Sequence, residues 1–421
     1  MKYLFVACLL YLSVLSAVAK VPAMNKIRLT NNWEYLKGDL GGIWEAVRPA
    51  APGSSEAVPI WQPVTLPHCF NAEDAVDPDV NYYEGPGWYK TLLAIDNPYR
   101  NGRIVLDFDG AGQKTDVYVY TTHVGSHVGG YDSWNVDITN AVKAFLGSKD
   151  AERFKGKVPL SIRCDNSRDL EMIPSDLADF NIYGGLYRYL NLVYLPEVSF
   201  EQIRLESFLS SNLKEGTLKV KTSFYNPEDI RKADVTVSVY DVDRKPVFSK
   251  TLEGILPLGD QLLAEMKIKN PVLWDVDVPQ LYTCELTVKT PDQTFTTKER
   301  FGFRHTEFKD KGPFFLNGKR LLLRGTHRHE DHAGVAQAMT EDMMRREMRM
   351  MKDMGVNFIR LGHYQQSEII LDLCDELGIL VWEEIPWCRG GLGGDVYKKQ
   401  ARRMLANMIV QHHNHPAVII W

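Results

Sequence analysis

Several features are scarce in this sequence, and each scarcity excludes something. There are six cysteines in 421 residues and no C-x-x-C pair. Cys8 falls in an N-terminal apolar run, too early to be a lipidated cysteine at a cleavage point. The other five, Cys69, Cys164, Cys284, Cys374 and Cys388, are odd in number and far apart. A disulfide framework or a structural zinc site is therefore not expected. Long blocks of single-sign charge are missing too, and the net charge is −5, which weighs against nucleic acid as a partner. The longest apolar run falls short of the roughly 20 residues a membrane-spanning helix requires.

That run has a different meaning. Met1-Lys2 is followed by apolar residues from Tyr3 to Val18, and Ala17-Val18-Ala19 supplies a small-x-small cleavage pattern before Lys20. The arrangement reads as a secretory signal peptide over 1–19, so the protein is expected in the periplasm or outside the cell. About 400 residues would then remain, enough for two to four domains.

Residues 24–197 are rich in aromatic and β-branched residues broken by Gly, Pro, Asn and Asp. Arg103–Phe108 and Asp116–Tyr120 alternate polar and apolar, as a half-buried strand requires. Many short strands and no long helix point to a β-sandwich. Residues 198–302 repeat the pattern in Thr217–Thr222, Asp234–Tyr240 and Leu281–Val288. About 100 residues of this kind fit an immunoglobulin-like sandwich.

From 303 to 421 the period changes. Thr340 is placed to cap a helix through Met354, with Met344, Met348 and Met351 on one face and Gly355 as its stop. The Met stripe reads as core. Ser367 is placed to cap a second helix, with Ile370, Leu373, Cys374 and Leu377 inward and Gly378 ending it. Asp395 starts a third, expected to bury Ala401, Leu405, Met408 and Ile409. Strands are expected at Arg320–Leu323, Asn357–Leu361, Ile379–Trp382 and Ala417–Trp421. Strand–helix alternation at this spacing signals βαβ units and a parallel sheet. Four strands and three helices make half of a (β/α)₈ barrel, which typically needs about 250 residues where about 119 follow residue 302.

The residues in these positions carry a resemblance. Gly325-Thr326-His327-Arg328-His329-Glu330-Asp331 resembles the first barrel strand of family 2 glycoside hydrolases, the β-galactosidase group. Met351–Tyr364 is similar to the family's second strand, Asp372–Glu384 to its third, and Asn414–Trp421 to the segment entering its fourth. Upstream, Glu84–Tyr89, Gly129-Gly130-Tyr131 and Asp179–Arg188 resemble the family's sugar-binding sandwich. The resemblance implies a retaining hydrolase of terminal β-glycosides, β-galactosides above all, acting on an oligosaccharide or glycoside substrate and possible as an oligomer. Relatives acting on glucuronides and mannosides share the scaffold.

It also implies roles. His329 and His363, just after strand cores, would bind sugar hydroxyls, since function in this fold sits at the C-terminal strand ends. Asp179 would reach in from the sandwich to hold another hydroxyl, or would only pin its loop to the barrel through an ion pair. Arg360 would orient neighbouring carboxylates, or bridge strands. Trp387 would stack on the sugar, or pack. Glu383 and Glu384 are adjacent on a strand, so their side chains point to opposite faces. They cannot flank one bond together, and one is read as an orienting residue. His327, His329 and His332, and also His412, His413 and His415, form clusters that invite a metal reading, but no carboxylate or cysteine lies at convincing spacing. The magnesium ligands of some family members align with Cys388 and Gly390, which cannot supply them, so no cofactor or metal is expected. The family's acid/base Glu stands in an Asn-Glu pair a few residues beyond the Trp that matches Trp421, and its nucleophile farther on. The sequence thus reads as a fragment that ends before them, with a non-catalytic carbohydrate-binding protein or an inactive remnant as alternatives.

Overall fold

A computed structural model describes residues 25–49, 59–175, 178–227, 231–387, 389 and 392–421. The expected signal peptide, Cys8, Cys388 and Gly390 lie outside the described residues.

The first part is a sandwich of a four-stranded and a six-stranded sheet. Arg103–Phe108 lies between Leu190–Leu195 and Trp134–Asp137, and Pro86–Leu93 pairs antiparallel with Val158–Asp165. Alternation sends Ile104, Leu106 and Phe108 inward against Tyr89, Val117, Leu160 and Ile162. The second part is a seven-stranded sandwich with a three-stranded and a four-stranded sheet. Here Ala233–Tyr240 buries every second residue from Ala233 to Val239. This is the immunoglobulin-like arrangement that the patterning anticipates.

The third part holds a four-stranded parallel sheet in chain order. Its strands are β1 (Gly325–Arg328), β2 (Phe358–Leu361), β3 (Leu380–Glu383) and β4 (Val418–Ile420). The helices between them are α1 (Glu341–Asp353), α2 (Glu368–Leu377) and α3 (Asp395–His412). Thr340 and Ser367 cap α1 and α2 through their side chains, and Gly378 closes α2 with φ +70°. A side chain is rarely at ease at that angle. Met344, Met348, Ile370, Leu373 and Cys374 pack with Ile359, Leu361, Leu380 and Val381. This is the first half of a (β/α)₈ barrel. Cys69, Cys164, Cys284 and Cys374 are buried free thiols.

Two expectations need correction. Arg320–Leu323 is not a barrel strand. Lys319–Arg320 closes a small antiparallel sheet with Thr306–Phe308 and Phe314–Leu316, and the barrel begins at Gly325. A short apolar run can belong to either kind of sheet, and here a tight turn at Asn317-Gly318 pairs it locally. The buried stripe of α3 is also displaced. Tyr397, Met404 and Met408 are buried, whereas Leu405 is 38% exposed. The helix packs on the first sandwich as well as on the sheet: Asn407 donates to Asp132 at 2.7 Å and Gln411 to the Ser133 carbonyl at 2.7 Å. Two partners bury polar residues that a single-stripe reading assigns to solvent.

Candidate functional site

Parallel register lines up side chains across the strands. His327, Arg360 and Trp382 are abreast on β1, β2 and β3, and so share one face. One step on, Arg328, Leu361 and Glu383 are abreast on the opposite, buried face. One further step returns His329 and Glu384 to the first face, at the C-terminal mouth of the sheet.

At this mouth Glu384 is held on two sides. Arg360 donates to it from Nη2 at 2.7 Å and from Nε at 3.1 Å. His363 Nδ1 donates to Glu384 Oε1 at 2.7 Å. Arg360 also lies 5.0 Å from the centre of the Trp382 ring, which balances its charge from beneath. With Nδ1 committed to the carboxylate, His363 has Nε2 left for another partner. The His327 and His329 rings stack 5.0 Å apart at 11°, and His363 stands edge-on to both, at 4.9 and 5.4 Å. Burial and then the neighbouring histidines hold His327 and His329 below the usual imidazole range. Neutral rings each offer one donor and one acceptor, the combination a sugar hydroxyl needs.

The first sandwich completes the wall. Phe180 packs on His329, His363 and Tyr364, with ring centres 5.9, 6.0 and 5.3 Å apart. Asp179, next to it, pairs with Arg389 Nε at 2.6 Å, so the loop-pinning ion pair foreseen for it does form. Tyr364 stacks on Tyr131 at 4.2 Å. Below, Arg188 Nη2 of the sandwich donates to Glu330 at 2.6 Å and to the Gln365 carbonyl at 2.7 Å. Both charged side chains of that pair are almost fully buried.

The structure therefore brings together His329, Arg360 and His363, with Asp179 at the rim. Trp387 follows β3 at 51% exposure. Glu383 is on the far face, where His412 Nδ1 donates to it at 2.9 Å, as the alternation argument requires. Two wall residues, Phe180 and Tyr364, lie within the resembling motifs, yet the sequence assigns them no role. For His327 the sequence suggests a metal ligand alone. The period-two alternation of Gly325–His329 already placed it beside His329.

Three family models match the chain in succession: "Glycosyl hydrolases family 2, sugar binding domain" over residues 40–196, "Glycosyl hydrolases family 2" over 198–304, and "Glycosyl hydrolases family 2, TIM barrel domain" over 307–421. The fold is similar to the crystal structure of Parabacteroides merdae β-glucuronidase, with a TM-score of 0.93 and 98% identity, covering 94% of this chain and 50% of that one. A β-glucuronidase of Bacteroides fragilis is 32% identical over 85% of this chain and 52% of its own length. A β-galactosidase of Thermoanaerobacterium thermosulfurigenes is 30% identical over 94% of this chain and 53% of its own. The chain spans about half the length of the curated relatives it matches.

Proposed function

The chain belongs to glycosyl hydrolase family 2, and from that premise we propose that the whole protein is a β-glucuronidase that hydrolyses terminal β-glucuronides with retention. The observation that carries this reading is the convergence of three imidazoles and the Arg360–Glu384 pair at the strand ends. Relatives named as β-glucuronidases support β-glucuronides over the β-galactosides expected from the sequence.

In this reading His329 and His363 hold sugar hydroxyls, Asp179 holds another from the sandwich side, and Trp387 covers the sugar face. Arg360 is a positioning residue: it fixes Glu384, which orients the His363 ring. A retaining glycosidase needs a carboxylic acid and a nucleophilic carboxylate about 5 Å apart across the scissile bond. Glu383 and Glu384 face opposite ways and are each committed to a cationic or imidazole partner. Neither is free to act, so the acid/base and nucleophile are assigned to the family's barrel beyond the position of Trp421. Export by residues 1–19 belongs to the same reading.

The test is hydrolysis of 4-methylumbelliferyl β-D-glucuronide and β-D-galactoside by the protein completed through its barrel. A preference for the glucuronide on the order of 100-fold in kcat/KM is expected, because a site built to pair polar groups rejects a substrate lacking them. A galactoside preference, favoured by the β-galactosidase relatives, would overturn the substrate assignment. Robust turnover by the 421-residue chain itself would refute the placement of the carboxylates.

A further inference from the structure

We propose that His327, His329 and His363 also form a binding site for a zinc-class divalent cation, and that the cation occupies the same space as the sugar. One nitrogen from each ring lies within 4.8 Å of the other two. Zinc–nitrogen bonds of about 2.0–2.1 Å at a tetrahedral ion set the nitrogens about 3.4 Å apart. Closing the triangle therefore needs ring-tip movements of about 1 Å. His327 is exposed and the other two are partly exposed, so most of that movement falls to His327.

Three features suit the cluster to a cation. Glu384 accepts from His363 Nδ1 at 2.7 Å, which is the carboxylate–histidine arrangement that orients a ligating ring and raises its basicity. The Arg360 charge, whose Nη1 and Nη2 stand 3.4 and 3.1 Å from His327 Nδ1 and His363 Nδ1, is offset by Glu384 through three contacts of 2.7–3.1 Å. Three imidazoles also leave a tetrahedral ion one open position, facing the mouth of the sheet.

A second grouping, Asp372, Asp375 and His415, meets the same distance criterion. Its members are spoken for. Asp375 Oδ2 accepts from His415 at 2.6 Å, its Oδ1 from the Ala417 amide at 3.0 Å, and Asp372 is bound by Arg300. It serves as the control site.

The inference rests on the pocket of the proposed function, and the experiment separates the two. The purified chain is titrated calorimetrically with zinc chloride, with and without D-glucuronate. One zinc per chain is expected, weakened at least 10-fold in His327→Asn and 10–100-fold in Glu384→Gln, and unchanged in Asp372→Asn. Circular dichroism verifies that each variant folds. Absence of binding, or binding indifferent to His327→Asn in a folded variant, overturns the proposal. Competition by glucuronate supports both readings. Zinc binding that needs the histidines and ignores glucuronate supports the metal site, overturns its overlap with the sugar and moves the sugar elsewhere.

Discussion

At the scale of single residues, the site depends on one absent side chain. A β-carbon on Gly362 would sit 2.1 Å from His327 Nε2, far inside contact distance. Gly362→Ala is expected to displace His327 and weaken glucuronate binding at least 10-fold, as small misplacements of a positioned group do. Isothermal titration checks it, and unaltered affinity would show that His327 is not part of the pocket. A second residue-scale prediction concerns pH. Burial opposes protonation of His415, but Asp375 at 2.6 Å, with Asp372 and Glu368 behind it, raises its pKa to about 9. The folded value lies above the unfolded value of about 6.5. The stabilisation is therefore complete below about pH 6.5 and is lost as pH rises through about 9. Thermal unfolding followed from pH 6 to pH 10 should show this decline, and His415→Gln should flatten it.

At the scale of elements, the corrected face of α3 makes a direct prediction. Met404 is 2% exposed among Tyr131, Ile173, Tyr364 and Tyr397. Met404→Ala should cost about 2–4 kcal/mol, whereas Leu405→Ala should fall within about 0.5 kcal/mol of neutral. Urea titration of the two variants decides which stripe is inside. This element also shows why legibility varied. For α1 and α2 the stripe, the cap and the stop all agree with a single docking surface, and their ends were readable to within a residue. For α3 the second surface comes from residues 128–133 and 171, more than two hundred positions away, and no local pattern announces it. The strand at Lys319–Arg320 failed for a related reason: its partner is decided by a turn, not by its own composition. In the site, alternation alone separated Glu383 from Glu384 and aligned His327 with His329. Phe180 escaped because its contacts are with residues of another domain.

At the scale of the whole molecule, the first sandwich and the half-barrel are joined by a buried ion pair. Arg188 and Glu330 meet at 2.6 Å with almost no exposure. Removing one partner leaves an unpaired buried charge, at a typical cost of about 3–5 kcal/mol. Arg188→Met should therefore lower stability by that order and loosen Phe180 from His363, while the double variant Arg188→Met with Glu330→Leu should recover part of the loss. Differential scanning calorimetry and glucuronate binding together test both halves of this prediction. A double variant no better than the single one would show that the pair is not what couples the domains.

The position of Phe180 has one more consequence. Its ring borders His329 and His363, yet it leaves the ribosome about 150 to 180 residues before them. A nascent chain can finish its first sandwich with no pocket in existence. Synthesis proceeds from the N-terminus, and domains generally fold in that order. A sugar present during translation could not assist the early steps. On the proposed reading it would act only after residue 387 has emerged and the sandwich has docked.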